Sequence, residues 1–467
     1  MRRVGGFWAA STLFLLASTA LADPGRHPIT VDDVLAMERI DSAVLEPDGE
    51  WAAVVVSRPA SGEEVYGRTA YEIDPGRSDV LLISAKTGER RRITYGKTAA
   101  AGYWCATWSP DGQRLAMLST QPEGAEPRGG DNVRLYVWDR ASGRLTRQGD
   151  APIMTQTRYG SPLTMPDLRG GADRGTLPHV CNREENAPFL WLDNDRILAA
   201  TLPAGRVSGL IDQYGRAWRN AARDAERLRA GRQATGVAFG SGKAQVSSDP
   251  AEHTILRIVD VAAGEARDVA RVPTFPLGGS MSVAVSPDGR RLAVLATTAA
   301  LPPVSGKHRP FAYDDLWTVE RRLGFVDLAD DAGLRWAALP DDARYPLELY
   351  HWSPDSRRIV LRARDDPFAD RTQLYLVPAS AAEVRRVGSG PIATDTVRTV
   401  PTEESPVVWL DASRLLARLR EDSGESSWWL IGAETEHRIT HGDGPAPTAL
   451  RRDATGAIVT KIGRAHV

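Results

Sequence analysis

A short turn followed at once by an apolar strand recurs along nearly the whole chain. The turn is Ser-Pro-Asp-Gly or a variant of it, and in most copies Trp or Val precedes it. Proline presets φ for the first turn position, aspartate bonds back to the turn backbone, and glycine accepts a positive φ. Each unit therefore reverses the chain between two strands. The turn aspartates are Asp48, Asp111, Asp193, Asp288, Asp355, Asp411 and Asp453, of which Asp193 and Asp411 belong to degenerate copies and Asp453 begins a seventh.

Most copies are followed by a second hairpin, which has an apolar run and a glycine-containing turn such as Thr87-Gly88, Ser142-Gly143 or Ala263-Gly264. Two hairpins make four antiparallel strands, which is one blade of a β-propeller. We therefore predict an all-β fold, a propeller of about seven four-stranded blades over residues 42–460, with the last blade incomplete. The turn aspartates are unevenly spaced, so insertions lie between the strands.

Two helices are predicted outside this pattern. Thr30 and Asp33 form a capping box, with Ile29 and Val34 placed as a hydrophobic staple, in a lead-in segment of residues 23–41. A second helix, about Leu210 to Arg229, has one apolar face and lies in a helical insertion at about 207–231. This helix packs on the outside of a blade or touches a partner domain or substrate, and we favour the first alternative.

The N-terminus has the features of a secretory signal. Arg2 and Arg3 precede a short apolar stretch from Phe7 to Leu16, and Ala20-Leu21-Ala22 supplies a cleavage pattern. We predict a signal peptide over residues 1–22 and a periplasmic or extracellular protein; an uncleaved N-terminal anchor is the alternative. An oxidising compartment permits a disulfide between Cys105 and Cys181, although two separate buried thiols fit the sequence equally well.

The chain resembles secreted members of the prolyl oligopeptidase family of serine peptidases, which includes dipeptidyl and acylaminoacyl peptidases. The segments that carry the resemblance are Ile29 to Leu35, Tyr103 to Ala116 and Gly129 to Asp139, and it extends over about residues 28–460. It implies a propeller that covers a C-terminal α/β-hydrolase domain, in which a Ser-Asp-His triad cleaves short peptides. TolB-like periplasmic propellers share the Ser-Pro-Asp-Gly turn, so a stand-alone binding or scaffold propeller is the alternative.

The sequence contains no Gly-x-Ser-x-Gly elbow that could carry the nucleophile. Gly278 to Ser282 lacks the closing glycine, and Lys461 to Val467 resembles a translated sequencing adapter. We therefore expect a reading frame cut short before the hydrolase domain, a non-native tail at residues 461–467, and no hydrolase activity of this chain alone. The expected partners are that missing domain and a short peptide substrate.

The candidate substrate-binding residues are Glu184 and Glu185. The resemblance to dipeptidyl peptidases implies that such a pair binds the free amino terminus of a substrate through charge-assisted hydrogen bonds; a solvated charged turn is the other interpretation. We predict no metal site and no cofactor, because His437 and His441 lie in a strand and turn without further ligands. The balance of 58 basic against 60 acidic residues indicates no nucleic-acid partner and no anionic membrane.

Overall fold

The chain folds into consecutive antiparallel β-sheets. A computed structural model describes residues 28–59, 78–99, 101–124, 133–154, 157–159, 188–203, 230–231, 253–273, 281–300, 319–329, 333–366, 371–380, 383–393, 406–440, 450–452 and 458–460. Five sheets each contain four strands that follow one another in the chain, a sixth contains four such strands and a fifth strand beside them, and a seventh contains two. Each four-stranded set is built from two hairpins, as the repeat predicts.

The six complete blades and the seventh hairpin have the following strands. Blades 1 to 3 contain β1 (Arg39–Leu45), β2 (Trp51–Ser57), β3 (Ser78–Ser84) and β4 (Arg90–Arg92); β5 (Tyr103–Trp108), β6 (Arg114–Ser119), β7 (Arg134–Asp139) and β8 (Leu145–Arg147); and β10 (Phe189–Trp191), β11 (Arg196–Thr201), β12 (His253–Asp260) and β13 (Glu265–Pro273). Blades 4 to 6 contain β14 (Met281–Val285), β15 (Arg291–Ala300), β16 (Val319–Asp327) and β17 (Leu334–Trp336); β18 (Tyr345–Trp352), β19 (Arg358–Arg364), β20 (Gln373–Pro378) and β21 (Arg385–Val387); and β22 (Val407–Trp409), β23 (Leu415–Arg420), β24 (Ser426–Ile431) and β25 (Glu436–Arg438). The seventh hairpin is β26 (Leu450–Arg452) and β27 (Ile458–Thr460).

The turn between the first two strands of a blade is held by its serine and aspartate. In blade 2 the Ser109 hydroxyl donates to Asp111 Oδ1 at 2.6 Å, and the Gln113 N–H donates to the same oxygen at 3.1 Å. Gly112 has φ +68°, and a Cβ there would lie 2.8 Å from Glu46 Oε1 of blade 1. Glycine is thus required both by the turn and by the close approach of the neighbouring blade.

The tryptophan that precedes the turn joins each blade to the one before it. Its indole N–H donates to a backbone carbonyl in the first strand of the preceding blade. The accepting residue comes directly before the residue that occupies the tryptophan position in that preceding blade. The bonds run from Trp108 to Val44 (3.2 Å), Trp191 to Thr107 (3.0 Å), Trp352 to Ala284 (3.0 Å) and Trp409 to His351 (3.0 Å). Blade 4 has Val285 at this position, which has no donor to offer. The first strands therefore lie side by side around an axis, and the fold is a β-propeller.

Arginines make a second set of junctions in the opposite direction. An arginine at the start of the second strand reaches the turn of the following blade: Arg114 donates to Asn194, Arg291 to Ser356 and Arg358 to Ala412, in each case to the carbonyl. An arginine in the fourth strand reaches the outer turn of the following blade, from Arg267 to Leu328, Arg335 to Ala379 and Arg385 to Ala433. Polar bonds thus tie neighbouring blades both near the axis and at the periphery.

The apolar core lies between blades. One buried cluster joins blades 1, 2 and 3, and three further clusters join blades 3 and 4, 4 and 5, and 5 and 6. Full burial of a large apolar side chain contributes about 1.5–3 kcal/mol. Each blade is therefore stabilised mainly by its neighbours.

Several elements lie outside the regular blades. Helix α1 (Val31–Leu35) has Thr30 as its N-cap, and the capping box with Asp33 is present, while Ile29 and Val34 are both exposed. Helix α2 (Gly96–Ala99) and a 3-10 turn (Asp341–Ala343) precede blades 2 and 5. Strand β9 (Thr157–Tyr159) pairs in parallel with β14, so that blade 4 has a fifth strand beside its first.

The predicted helix at Leu210 to Arg229 lies outside the described residues, as do residues 1–22 and 461–467. In the part of the chain that the structure describes, no helix is long and apolar enough to cross a membrane.

Candidate functional site

The two rims of the propeller carry connections of very different length. The Ser-Pro-Asp-Gly turns and the outer turns of every blade lie at one rim, which we call the turn rim. Antiparallel pairing places the connections between second and third strands, and those between blades, at the opposite rim, which we call the insertion rim. The connections at residues 58–77, 148–188, 202–252 and 301–318 all begin and end there. Binding residues are concentrated on loops held by a rigid scaffold, so the insertion rim is the candidate functional face.

The predicted glutamate pair belongs to one of these connections. Glu184 and Glu185 lie within residues 148–188 but outside the described residues, so their assignment to a substrate amino group stays a prediction. Cys105 is disulfide-bonded, and Cys181, the other cysteine of the chain, also lies outside the described residues. Cys105 is buried at a bulge of β5 and has φ +58°, a conformation that costs a non-glycine residue about 1–2 kcal/mol.

A cluster of half-buried arginines, with a buried glutamate and a buried tyrosine, lies between blades 4 and 5. It consists of Arg321 of β16 and Arg362 and Arg364 of β19, together with Glu348 and Tyr350 of β18. Arg362 Nη2 lies 3.2 Å from Glu348 Oε2, which also accepts the Tyr350 hydroxyl at 3.1 Å. Arg321 Nη1 donates to the Leu347 carbonyl at 2.6 Å, across the blade boundary. In the register of β18 and β19, Arg364 lies opposite Tyr345, at the end of the two strands that meets the insertion rim.

The groups of the cluster act strongly on one another. Burial lowers the pKa of Arg321 to about 10; Glu348 opposes this shift, whereas Arg362 and Arg364 add to it. Burial also lowers the pKa of Arg362, but Glu348 and then Tyr350 outweigh it, and the net direction is upward. Both guanidinium groups thus remain charged at neutral pH, and the same carboxylate stabilises the charge of both.

A second charged network, in blade 1, is closed. The buried Asp79 carboxylate accepts from Arg58 (3.0 Å), Arg92 (3.1 Å), Thr94 (2.8 Å) and the Gly96 N–H (2.6 Å). Arg58 Nη2 continues to the Ala101 carbonyl at the start of blade 2, at 2.8 Å. Because the carboxylate already accepts four donors, this network stabilises the junction and offers nothing to a ligand.

His351 lies on the first strand of blade 5. The side chain is accessible to solvent, yet the surrounding protein lowers the pKa of the imidazole. Among the described residues, no group of His, Cys, Asp and Glu is arranged to hold a metal ion.

The arginine cluster was not predicted. Its signal in the sequence is the alternation of Arg358-Ile-Val-Leu-Arg362-Ala-Arg364, in which two arginines two residues apart share one face of an otherwise apolar strand.

No protein-family model and no curated protein matches the chain. Solved structures with a similar arrangement include the Pyrococcus horikoshii acylaminoacyl peptidase (12% identity, TM-score 0.36, 90% of this chain and 48% of that chain). They also include the β-propeller domain of the Trilobed protease from Pyrococcus furiosus (13%, 0.35, 87% and 86%) and TolB from Acinetobacter baumannii (10%, 0.30, 90% and 87%).

This chain spans about half the length of the acylaminoacyl peptidase. At these identities and TM-scores the likenesses carry no weight of their own, and the fold assignment rests on the sheets and junctions described above.

Proposed function

We propose that this chain is the substrate-selecting propeller of a secreted serine peptidase of the prolyl oligopeptidase type. The observation that carries the proposal is the asymmetry of the rims: the long connections and the arginine cluster lie toward the insertion rim, and short turns close the other. The resemblance of Tyr103 to Ala116 to that peptidase family supports the same function. The catalytic α/β-hydrolase domain would lie against the insertion rim, where the axis admits short peptides and excludes folded proteins.

The proposal is tested with this chain and with the protein encoded by the complete gene. Both are exposed to a serine-directed fluorophosphonate probe, a set of short fluorogenic peptides, and the same peptides embedded in a folded carrier protein. We expect the probe to label the complete protein alone, and that protein to cleave free peptides but not embedded ones. A complete protein without a reactive serine would contradict the proposal and favour a TolB-like binding or scaffold propeller.

A further inference from the structure

The arginine cluster contains more positive than negative charge. Among the described residues, Glu348 is the acidic group that acts on both Arg321 and Arg362, and Arg362 and Arg364 both oppose the charge of Arg321. Arg364 makes further contacts of its own, and Arg321 and Arg362 are the two cations that share Glu348. Two cations that share one anion in a partly dehydrated site are stabilised by a second anion.

The hydrogen bonds of the cluster are also incomplete. Arg362 directs Nη2 to Glu348, while its Nε–H is buried and has no acceptor among the described residues. Glu348 Oε2 already accepts from both Arg362 and Tyr350. A guanidinium group has five N–H donors, and the bond to Glu348 uses Nη2 of Arg362, so Arg362 has donor capacity beyond this bond.

The cluster can be reached from solvent. The Arg362 side chain keeps 16% of its exposure, against 7% for Glu348, and Arg364 lies at the strand end that meets the insertion rim. A ligand arriving at that rim therefore meets arginine before glutamate.

We propose that Arg362 and Arg321 bind a carboxylate group of the peptide substrate, with the C-terminal carboxylate as the first choice. The identity of the ligand rests on the proposed function; the existence of an anion site does not. Arg321 and Arg362 outnumber Glu348 by one charge, so a singly charged carboxylate neutralises the group, whereas a phosphate dianion leaves excess negative charge in a partly dehydrated site.

The test uses this chain and isothermal titration calorimetry at constant ionic strength. The ligands are N-acetyl-trialanine with a free C-terminal carboxylate, the corresponding amide, and inorganic phosphate. Acetylation removes the amino group, so Glu184 and Glu185 do not contribute to the comparison. We expect the free acid to bind about tenfold more tightly than the amide, since a charge-assisted bond contributes on the order of a factor of ten in affinity, and more tightly than phosphate.

Three variants separate binding from structural support. Arg362→Gln should abolish the preference for the acid, and Glu348→Gln should strengthen it, because the competing carboxylate is gone. Arg290→Gln is the matched control: Arg290 is exposed at the turn rim and should leave binding unchanged. Circular dichroism confirms folding; should Arg362→Gln fail to fold, Glu348→Gln alone decides, since a purely structural pair gives no gain in affinity.

Equal affinities for acid and amide, tighter binding of phosphate, or an unchanged Glu348→Gln variant would each overturn the proposal. The proposed function fails separately. If this chain prefers the acid but the complete protein has no peptidase activity, the carboxylate site is supported and the proposed peptidase function is contradicted. If the complete protein is an active peptidase but this chain does not distinguish the acid from the amide, the peptidase function is supported and the carboxylate site is contradicted.

Discussion

At the scale of single residues, the indole N–H of the junction tryptophan can be tested directly. Trp352 donates to the buried Ala284 carbonyl and packs edge-on against Phe325, with ring centroids 5.8 Å apart. Trp352→Phe keeps an aromatic ring and removes the donor. We expect the free energy of unfolding to fall by about 1 kcal/mol, the net contribution of one hydrogen bond, measured by urea denaturation.

Trp429 is the matched control for this substitution. Its Nε1 is buried and has no hydrogen-bond partner among the described residues. Trp429→Phe removes an unsatisfied donor, so stability should stay the same or rise. A loss as large as that of Trp352→Phe would mean that the loss of ring volume, and not the junction bond, determines the effect.

His351 should make stability depend on pH. Burial lowers the pKa of this imidazole below its ordinary value of 6.5, so the unfolded chain binds the proton more readily than the folded chain. The corresponding stability is fully present above about pH 6.5 and is lost as the pH falls below that value. We expect the melting temperature to decrease between pH 7.5 and 5.5, and His351→Asn to reduce that decrease. A His351→Asn variant whose melting temperature falls as steeply as that of the unchanged chain would contradict this assignment.

At the scale of elements, the turn of blade 5 departs from the pattern at one position. Ser356 stands where blade 4 has Gly289, has φ +60°, and accepts the Asp288 N–H at 2.9 Å across the blade boundary. Ser356→Ala keeps the strained backbone and loses the bond, which should lower the free energy of unfolding by about 1 kcal/mol.

Ser356→Gly loses the same bond but relieves about 1 kcal/mol of strain, so its stability should be close to that of the unchanged chain. Urea denaturation of both variants provides the measurement. A Ser356→Gly variant as unstable as Ser356→Ala would show that the positive φ costs little here.

The hairpins were predictable because their signals are local. Ser109, Asp111 and Gly112 form a turn among themselves, and the apolar runs on either side of such turns became the paired strands. The recurring tryptophan was also visible in the sequence, but its bond to a carbonyl some 60 to 80 residues earlier was not, because it depends on the geometry of neighbouring blades. The pairing of β9 with β14 joins Thr157 to Met281 and carries no local signal either. Of the candidate site, the long connections were foreseen from turn spacing, whereas the convergence of Arg321 with Glu348 and Arg362 required the assembled blades.

At the scale of the whole molecule, the junctions determine how the parts depend on one another. Each apolar cluster is shared by adjacent blades, so the loss of one blade removes a large part of its neighbour's core. The blades near the arginine cluster are linked by tryptophan bonds, arginine bonds and shared apolar clusters. A site built at such a junction is held rigidly, which suits the recognition of a small charged group.

The first strand of blade 1 differs from the first strands of the other blades. Leu45 occupies the position of the junction tryptophans and is 63% exposed, whereas Trp108, Trp352 and Trp409 are 5–6% exposed. Ile40 on the same strand is 58% exposed. Apolar side chains exposed together on one strand favour association with another apolar surface. We therefore expect this chain to self-associate as its concentration rises, measured by sedimentation velocity.

Leu45→Glu should reduce this association without lowering the melting temperature, because the side chain it replaces is not part of a core. Tyr95→Glu is the control, since Tyr95 is equally exposed, at 63%, but lies beyond the fourth strand of blade 1. If both substitutions reduce association equally, added negative charge is the cause. If the unchanged chain sediments as a monomer at every concentration, the apolar side chains of β1 are covered in solution.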